Sequence, residues 1–298
     1  MTAEFTGNIE ISGVAPRVNE SRRFFRVLFS RWLVVFGIIV IILLILTAIF
    51  APWLARYDPY EPDYNQTLLQ PTKAHPVGTD AIGRDTLSRI IFGARTSLTI
   101  GIVAVSFATA TGITLGLIAG YFGGWAYIII MRFIDALMSF PMLLLALVIA
   151  ALLGGGIKNV IIALGISLMP GYARLMCGQV LSAKENEYVL AGRALGASNL
   201  RIMFRHILPN CFSPLIVVMS MMMGTTILAE AGLSFLGIGI ESPTASWGSM
   251  INDGREYLLS HPILSFAPGF VIMLVVLSFN MVGDGLRDAL DPRLRGLL

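Results

Sequence analysis

The stretch from Trp32 to Trp53 carries no charged side chain and is built almost wholly from Ile, Leu, Val, Phe and Ala. A run of that length matches the roughly 20 residues an α-helix needs to cross the hydrocarbon core of a bilayer. It is far longer than the apolar core of about 7–15 residues in a cleaved secretion signal, although Arg22, Arg23, Arg26 and Arg31 precede it, so it reads as an uncleaved anchor.

Further apolar runs follow. No charge interrupts the chain between Arg95 and Arg132, a gap too long for one span, and Gly120, Gly123 and Gly124 offer a turn near its middle. Two helices are expected there, near Thr96 to Ala119 and Trp125 to Leu153. Others are expected near Ile157 to Val180, Phe212 to Leu236 and Ile263 to Val282, which makes six spans in all. With 56% hydrophobic and only 13% charged residues, the chain has too little polar surface for a water-soluble domain. The fold class is therefore an all-α integral membrane protein.

Orientation follows from Lys and Arg close to the spans. Five Arg lie in residues 1–31, Lys184, Arg193, Arg201 and Arg205 lie between spans four and five, and Arg287, Arg293 and Arg295 lie at the C-terminal end. An even number of spans places all three on one face, the cytoplasmic one. The segment Arg56 to Arg95 also holds five basic residues and pulls the other way, but it carries Asp58, Glu61, Asp63, Asp80 and Asp85 as well. The organisation expected is a cytoplasmic tail over 1–31, a first span over 32–53, an extracytoplasmic loop over 54–95, a core over 96–287 and a cytoplasmic tail over 288–298.

The polar stretch YVLAGRALGASNLRIMFRHILPN, Tyr188 to Asn210, falls on that cytoplasmic face. Glu187 to Leu195 reads as a short helix with Gly196 placed for a left-handed cap. Ser198 is a good N-cap for a second helix in which Leu200, Met203, Phe204, Ile207 and Leu208 recur at helical spacing before Pro209 ends it. From Ala191 to Ser198, six of eight residues are Ala, Gly or Ser, so another backbone can approach closely. Spacing alone leaves two readings open, a docking surface and a basic loop lying flat on the membrane.

Other residues also stand in open alternatives. Arg132 and Asp135, one turn apart, can pair with each other at a helix end or meet a substrate. Glu230 is a helix-end group at the interface or part of an outer gate facing a partner chain. Met219, Met221, Met222 and Met223 offer an adaptable apolar pore wall or ordinary packing. Arg174 reads as a topology anchor. Gly112, Gly116 and Gly120 form a small-residue stripe suited to close helix contact. Pro141, Pro170, Pro214 and Pro268 are candidate kinks or hinges. The loop Arg56 to Arg95, with Trp247 and its neighbours, is expected to cap the pore entrance or meet an external partner.

The chain has no phosphate-binding loop: the three glycines at Gly154 to Gly156 are followed by Ile157, Lys158 and Asn159 without the Ser or Thr such a loop uses for magnesium. His75, His206 and His261 are scattered and suggest no metal site, and Cys177 and Cys211 read as free thiols. A secondary transporter would show charges near the midplane, and a membrane enzyme a convergent set of nucleophile, base or metal ligands; neither is visible.

The triplet Leu190, Ala191 and Gly192, followed by Gly196, His206, Leu208 and Pro209, resembles the EAA loop of ABC importer permeases. Leu190 and Gly192 stand where that pattern has Glu and Ala, and His206 where it has Ile. The blocks HPVGTDAIGRDTLSRIIFGARTSL (His75 to Leu98), MRFIDALMSFP (Met131 to Pro141), LSFLGIGIESPTASWGSMINDGR (Leu233 to Arg255) and FNMVGDGLRDALDPRL (Phe279 to Leu294) resemble the dipeptide and oligopeptide permease family, its DppC/OppC type. The resemblance implies a type I importer fold in the bacterial inner membrane with both termini cytoplasmic. It further implies a pore shared with a second, DppB/OppB-type permease, two DppD/DppF-type ATPases that bind the ATP and Mg, and an extracytoplasmic binding protein. This chain would itself hold no cofactor, and lipid, not nucleic acid, would surround it. Within loop 181–211 the coupling role passes to Glu187, Ala191, Gly192, Arg193, Gly196 and Ala197. The substrate class implied is dipeptides and oligopeptides, with nickel, metal chelates or glutathione as alternatives in the same architecture.

Overall fold

The structure, a computed structural model, describes residues 20–290; the remainder of both tails, with Arg17, Arg293 and Arg295, lies outside the described residues. Among the described residues the chain is helical, with one isolated bridge pair, Thr79 with Asp85.

A short helix α1 (Glu20–Leu28) leads into α2 (Trp32–Leu54). Helix α2 is apolar all round, and packing decides which side turns inward. Val34, Gly37, Val40, Leu44, Ala48 and Ala51, spaced three or four apart, are buried. They face α3 (Thr86–Phe122) and α11 (Ile263–Leu290), while Ile39, Ile42, Leu43 and Leu46 stay on the outer surface. Arg31 pairs with Asp288 at 2.8 Å, which sets the start of α2 beside the end of α11 on one face of the bundle.

Helix α3 begins ten residues before the expected Thr96. Asp85 caps it, its Oδ2 accepting from the Ser88 N–H at 2.8 Å. Arg95, which marked the span boundary by its charge, lies within the helix, as does Arg89, which is 1% exposed.

The longest contact in the molecule joins α3 to α6 (Ile157–Ala183). Gly112, Gly116 and Gly120 form the seam. A methyl group on Gly116 would lie 2.4 Å from the Ala173 carbonyl oxygen, and one on Gly112 would lie 2.6 Å from Tyr172 Cβ. Hydrogen leaves room that a side chain would fill, so the helices close to backbone contact.

The expected span from Trp125 to Leu153 is two helices, α4 (Gly124–Met138) and α5 (Met142–Leu153), bent by 90°. Pro141 supplies the break. It lacks an N–H, disfavours helical geometry at Phe140, and itself takes an extended ψ of 133°. At about 1.5 Å per residue, α5 is roughly 18 Å long, too short to cross the bilayer on its own. Among the described residues five helices are long and apolar enough to cross, and the bent pair makes a sixth only when its halves are counted together. Pro170 and Pro268 lie inside α6 and α11, and Pro214 sits in the first turn of α9 (Phe212–Phe235), just past the 3-10 turn that leads into it.

On the face that holds the N-terminus of α3, the segment 55–85, the turn 236–246 and helix α10 (Trp247–Gly254) form a cap. Trp247 is fully buried there, donates Nε1–H to the Ile90 carbonyl at 3.0 Å and fills the space over Gly93. It pins α10 to α3, so of the two roles expected, capping the pore entrance and meeting an external partner, its burial speaks against the second for Trp247 itself.

Candidate functional site

The opposite face carries the polar stretch. Helix α7 (Glu187–Ala194) has Glu187 in its first turn and Arg193 in its last, each placed favourably for the helix dipole. Gly196 adopts φ +75°, its N–H bonds the Arg193 carbonyl at 2.9 Å, and the Ala197 N–H bonds the Gly192 carbonyl at 3.0 Å. These two bonds are a Schellman closure, and the left-handed residue is why glycine is required at 196.

Ser198 caps the next turn, its Oγ accepting from the Arg201 N–H at 3.4 Å. Helix α8 (Asn199–Arg201) does not end at Pro209 as its composition suggests. It widens into a π-helix over Ile202–Ile207, tightens to a 3-10 turn over Leu208–Cys211, and runs into α9. The Asn210 side-chain amide donates to the His206 carbonyl at 2.7 Å, so the irregular turn leaves this oxygen satisfied. Val189, Ile202, Met203, Ile207 and Cys211 point inward and pack on Ile134, Val180 and Ala183. That burial holds the unusual helix in register.

The outward face sets large apolar groups among the exposed Arg193, Arg201 and Arg205. Leu195 is 88% exposed, Leu200 66% and Phe204 57%, with Leu190, Ala191, Ala194 and Gly196 also exposed. A methyl group on Gly192 or Gly196 would meet nothing within 4 Å. Of the residues expected to couple, Glu187, Ala191, Arg193 and Gly196 are exposed, and Gly192 and Ala197 are half-buried. All six therefore share one short loop. The loop is braced to the end of α3: Tyr121 Oη donates to Asn199 Oδ1 at 2.8 Å, the Arg193 guanidinium lies over the Tyr121 ring at 5.3 Å, and Lys184 Nζ reaches the Gly120 carbonyl at 3.4 Å.

Two expected arrangements are corrected. Asp135 pairs with Arg174 on α6 and not with Arg132. The i, i+3 order with the base first is a poor one for a helix, and the packing of α4 on α6 turns Asp135 towards Arg174. Glu230 is neither an interfacial helix end nor exposed to a partner. It is fully buried between α3 and α9, accepting from Ser97 Oγ at 3.0 Å and Ser234 Oγ at 2.9 Å, and Ser234 Oγ in turn accepts from the Ile240 N–H at 3.0 Å. Met219, Met222 and Met223 are half-buried and pack on the core of the chain itself.

Sequence reading missed an ionic cluster in the cap. Asp80 accepts from Arg84 Nε at 2.6 Å and lies 3.7 Å from Arg89 Nε, while Arg89 Nη1 donates to the Pro59 carbonyl at 3.0 Å and the Pro243 carbonyl at 3.4 Å. Asp253, 3.9 Å from Arg84 Nη2, completes it. Burial pushes the Asp253 carboxyl above the ordinary range, against the opposing pull of Arg89 and Arg84. The signal in the sequence was the alternation of acid and base in DAIGRDTLSR, Asp80 to Arg89, whose partners in the later turn are not local.

Comparison with known proteins agrees with this geometry. Residues 112–296 match the family described as the binding-protein-dependent transport system inner membrane component, and residues 21–71 match the N-terminal TM domain of oligopeptide transport permease C. The dipeptide transport system permease protein DppC of Alkalihalophilus pseudofirmus is 45% identical over 278 residues, covering 93% of this chain and 91% of that protein. The glutathione transport system permease protein GsiD of Pectobacterium atrosepticum is 42% identical over 275 residues, covering 92% and 91%. A chain of the inward-facing MetNI methionine ABC transporter superposes with TM-score 0.52 at 17% identity, over 67% of this chain and 96% of that one, which places the fold as that of a type I ABC importer permease. Family, fold and apolar helices together make this an inner-membrane transport subunit and not an enzyme. The chain belongs to the inner-membrane permeases of binding-protein-dependent ABC importers, and within them to the DppC/OppC type.

Proposed function

We propose that this permease forms half of a translocation pore for dipeptides and oligopeptides, completed by a DppB/OppB-type permease and fed by an extracytoplasmic binding protein. Two partner ATPases bind the ATP and Mg and dock on the loop around α7. The observation that carries this reading is the exposed apolar surface from Leu190 to Phe204, small enough at Ala191, Gly192 and Gly196 to enter a groove and joined without a break to a membrane helix. An apolar patch kept on a braced, folded loop marks a protein contact. The role of Glu187, with Leu190 and Gly192 in the triplet, is to border that contact, and Arg193 supports it from its place over Tyr121. Met219, Met222 and Met223 serve the pore only if α9 is exposed by motion, since they pack inward here.

The test is a bulky side chain on the outer surface of α7. Ala191→Trp in the reconstituted importer should leave insertion and folding intact, cut substrate-driven transport by about tenfold or more, and uncouple ATP hydrolysis from it. Normal transport with coupled ATPase activity would remove the docking assignment. A second reading, glutathione as substrate, is favoured by the GsiD relative at 42% identity; nickel and metal chelates rest on the architecture alone. Affinities of the cognate binding protein for a dipeptide, glutathione and a nickel chelate separate these substrates.

A further inference from the structure

We propose that the Asp135–Arg174 pair lines the translocation pathway deep in the membrane and receives there the two charged ends of a zwitterionic substrate, a reading that rests on the peptide transport proposed above. Helix α6 has 27 residues and is roughly 40 Å long, and Arg174 lies about 6 Å from its centre on the side of Ala183. Asp135 stands eleven residues, about 16 Å, from the start of α4 at Gly124. The hydrocarbon core extends about 15 Å to either side of its midplane, so the pair lies well inside it, away from the helix ends where a long side chain can reach the headgroups.

At this depth the pair is nonetheless open. The Arg174 and Asp135 side chains are 54% and 45% exposed. From Ala163 to Pro170 helix α6 is buried, with Ile166 half-buried, whereas Gly171, Arg174, Gly178 and Leu181, three or four residues apart, form an exposed side that runs on towards the cytoplasmic end. Methyl groups on Gly171 and Gly178 would meet nothing within 4 Å, so the guanidinium stands uncovered between two glycines. Lipid does not suit such a face, because charges inside the membrane turn to the bundle interior or to a water-filled cavity.

The broken span points the same way. Between α4 and α5 the chain leaves helical geometry at Ser139, Phe140 and Pro141, all three exposed, and the Ser139 N–H bonds the Asp135 carbonyl at 3.1 Å. Irregular backbone at membrane depth persists where protein buries it or where it borders water. An apolar partner surface would strand both charges, whereas an aqueous pore between two permeases solvates the break and the pair together. A peptide carries an ammonium at one end and a carboxylate at the other, and glutathione likewise carries both charges. Arg174 offers its planar fork to the carboxylate and Asp135 an acceptor to the ammonium, so each exchanges one partner for another of the same sign and no charge is left alone. When the substrate moves on, the pair closes again.

The test uses the complete importer, in nanodiscs for labelling and in liposomes for transport. With or without ATP, a charged thiol reagent should label Gly171→Cys and Gly178→Cys at least about tenfold faster than Leu43→Cys on the outer surface of α2, above the low background of buried Cys177 and Cys211. Labelling as slow as that of Leu43→Cys in both nucleotide conditions overturns the pathway assignment. Asp135→Arg combined with Arg174→Asp keeps a pair and inserts, but presents the charges in reverse order. Transport per inserted importer of the zwitterion that the wild type carries, a dipeptide or glutathione, should stay about tenfold down, the weight of one charge-assisted hydrogen bond. Full transport by that double variant would make the pair structural and overturn the substrate contact. A wild type that carries neither zwitterion overturns the peptide reading instead, and labelling still decides the pathway. The labelling arm leaves both charges in place and stands even if the double variant inserts poorly.

Discussion

The seam between α3 and α6 sets the sharpest numerical expectation, since two glycine substitutions of identical chemistry should act in opposite directions. A methyl group added at Gly116 would sit 2.4 Å from the Ala173 carbonyl oxygen, 2.8 Å from Met176 Cβ and 2.9 Å from the Cys177 nitrogen. Carbon needs about 3.5 Å, so the helices must part by roughly 1 Å along their closest approach. Overpacking of this kind costs about 1–3 kcal/mol, from which alanine recovers about 0.5–1 kcal/mol of helix propensity. The net loss is roughly 0–2.5 kcal/mol, and at about 2–4 °C per kcal/mol for a chain of this order Gly116→Ala should lower Tm by up to about 10 °C. Gly178 lies one turn from the same contact on α6, but a methyl there meets nothing within 4 Å. Gly178→Ala should therefore raise Tm by about 1–4 °C through propensity alone. The assay is thermal unfolding of the purified chain in detergent followed with a thiol-reactive dye, since Cys177 and Cys211 are both free and buried. Cys177 lies in the seam, so Gly116→Ala should also raise its labelling below Tm while that of Cys211 changes little. If the two variants move Tm in the same direction, close packing is not what glycine supplies at 116.

Glu230→Ala strands the Ser97 and Ser234 hydroxyls and should cost about 1–3 kcal/mol for each group left unpaired, whereas Glu230→Gln keeps an acceptor and should cost less; denaturation of the two variants checks the order. Asp253 has a carboxyl raised by burial, so its folded form is favoured while protonated and its stability contribution falls as pH rises through the folded value. Asp253→Asn should thus raise Tm at neutral pH with a gain that vanishes in acid, and a gain that grows in acid would contradict the sign. Inverting either Asp135 or Arg174 puts two like charges together at the membrane and should reduce the inserted protein severalfold, and the double inversion should restore most of it.

The apolar runs placed both ends of α2, α6 and α9 within a few residues, and the start of α11 but not its end, which lies at Leu290 beyond the expected Val282, because a bilayer demands length and composition from one continuous stretch. Where charge was used as the boundary, the reading failed. Arg95, taken as the limit before the second span, lies inside α3, and so does Arg89, whose partners are Asp80 and the carbonyls of Pro59 and Pro243, two of the three far away in the chain. Pro141 was legible as a disturbance, but the 90° turn it permits depends on what α4 and α5 pack against. In the loop around α7 the Gly196 closure and the Ser198 cap were legible because both are local hydrogen-bond patterns. The π-helix was not, as it is held by the burial of Ile202, Met203 and Ile207 against other helices. Local spacing likewise suggested Arg132 for Asp135, whereas the tertiary partner is Arg174 on α6.

That irregular helix matters for how force can pass through the molecule. From Asn199 to Phe235 the backbone stays helical through α8, the π turn, the 3-10 turn and α9, with no intervening loop. The non-helical joints lie on either side of α7, at Lys184 to Asn186 and at Leu195 to Ser198. A displacement applied at α7 can be absorbed at those joints, but what passes Ser198 arrives at α9 as motion of one body, turned by its own packing. Buried Val189, Ile202 and Ile207 make the inner side of the loop part of the same core as Tyr121 and Val180, so α3 and α6 resist that motion directly. At the far end of α9, Glu230 ties the helix to Ser97 of α3 and, through Ser234, to the backbone of Ile240. The helix that leaves the α7 loop is thus clasped at its opposite end by buried polar contacts, and any rotation of α9 must either carry the 236–246 turn with it or break bonds that have no water to replace them.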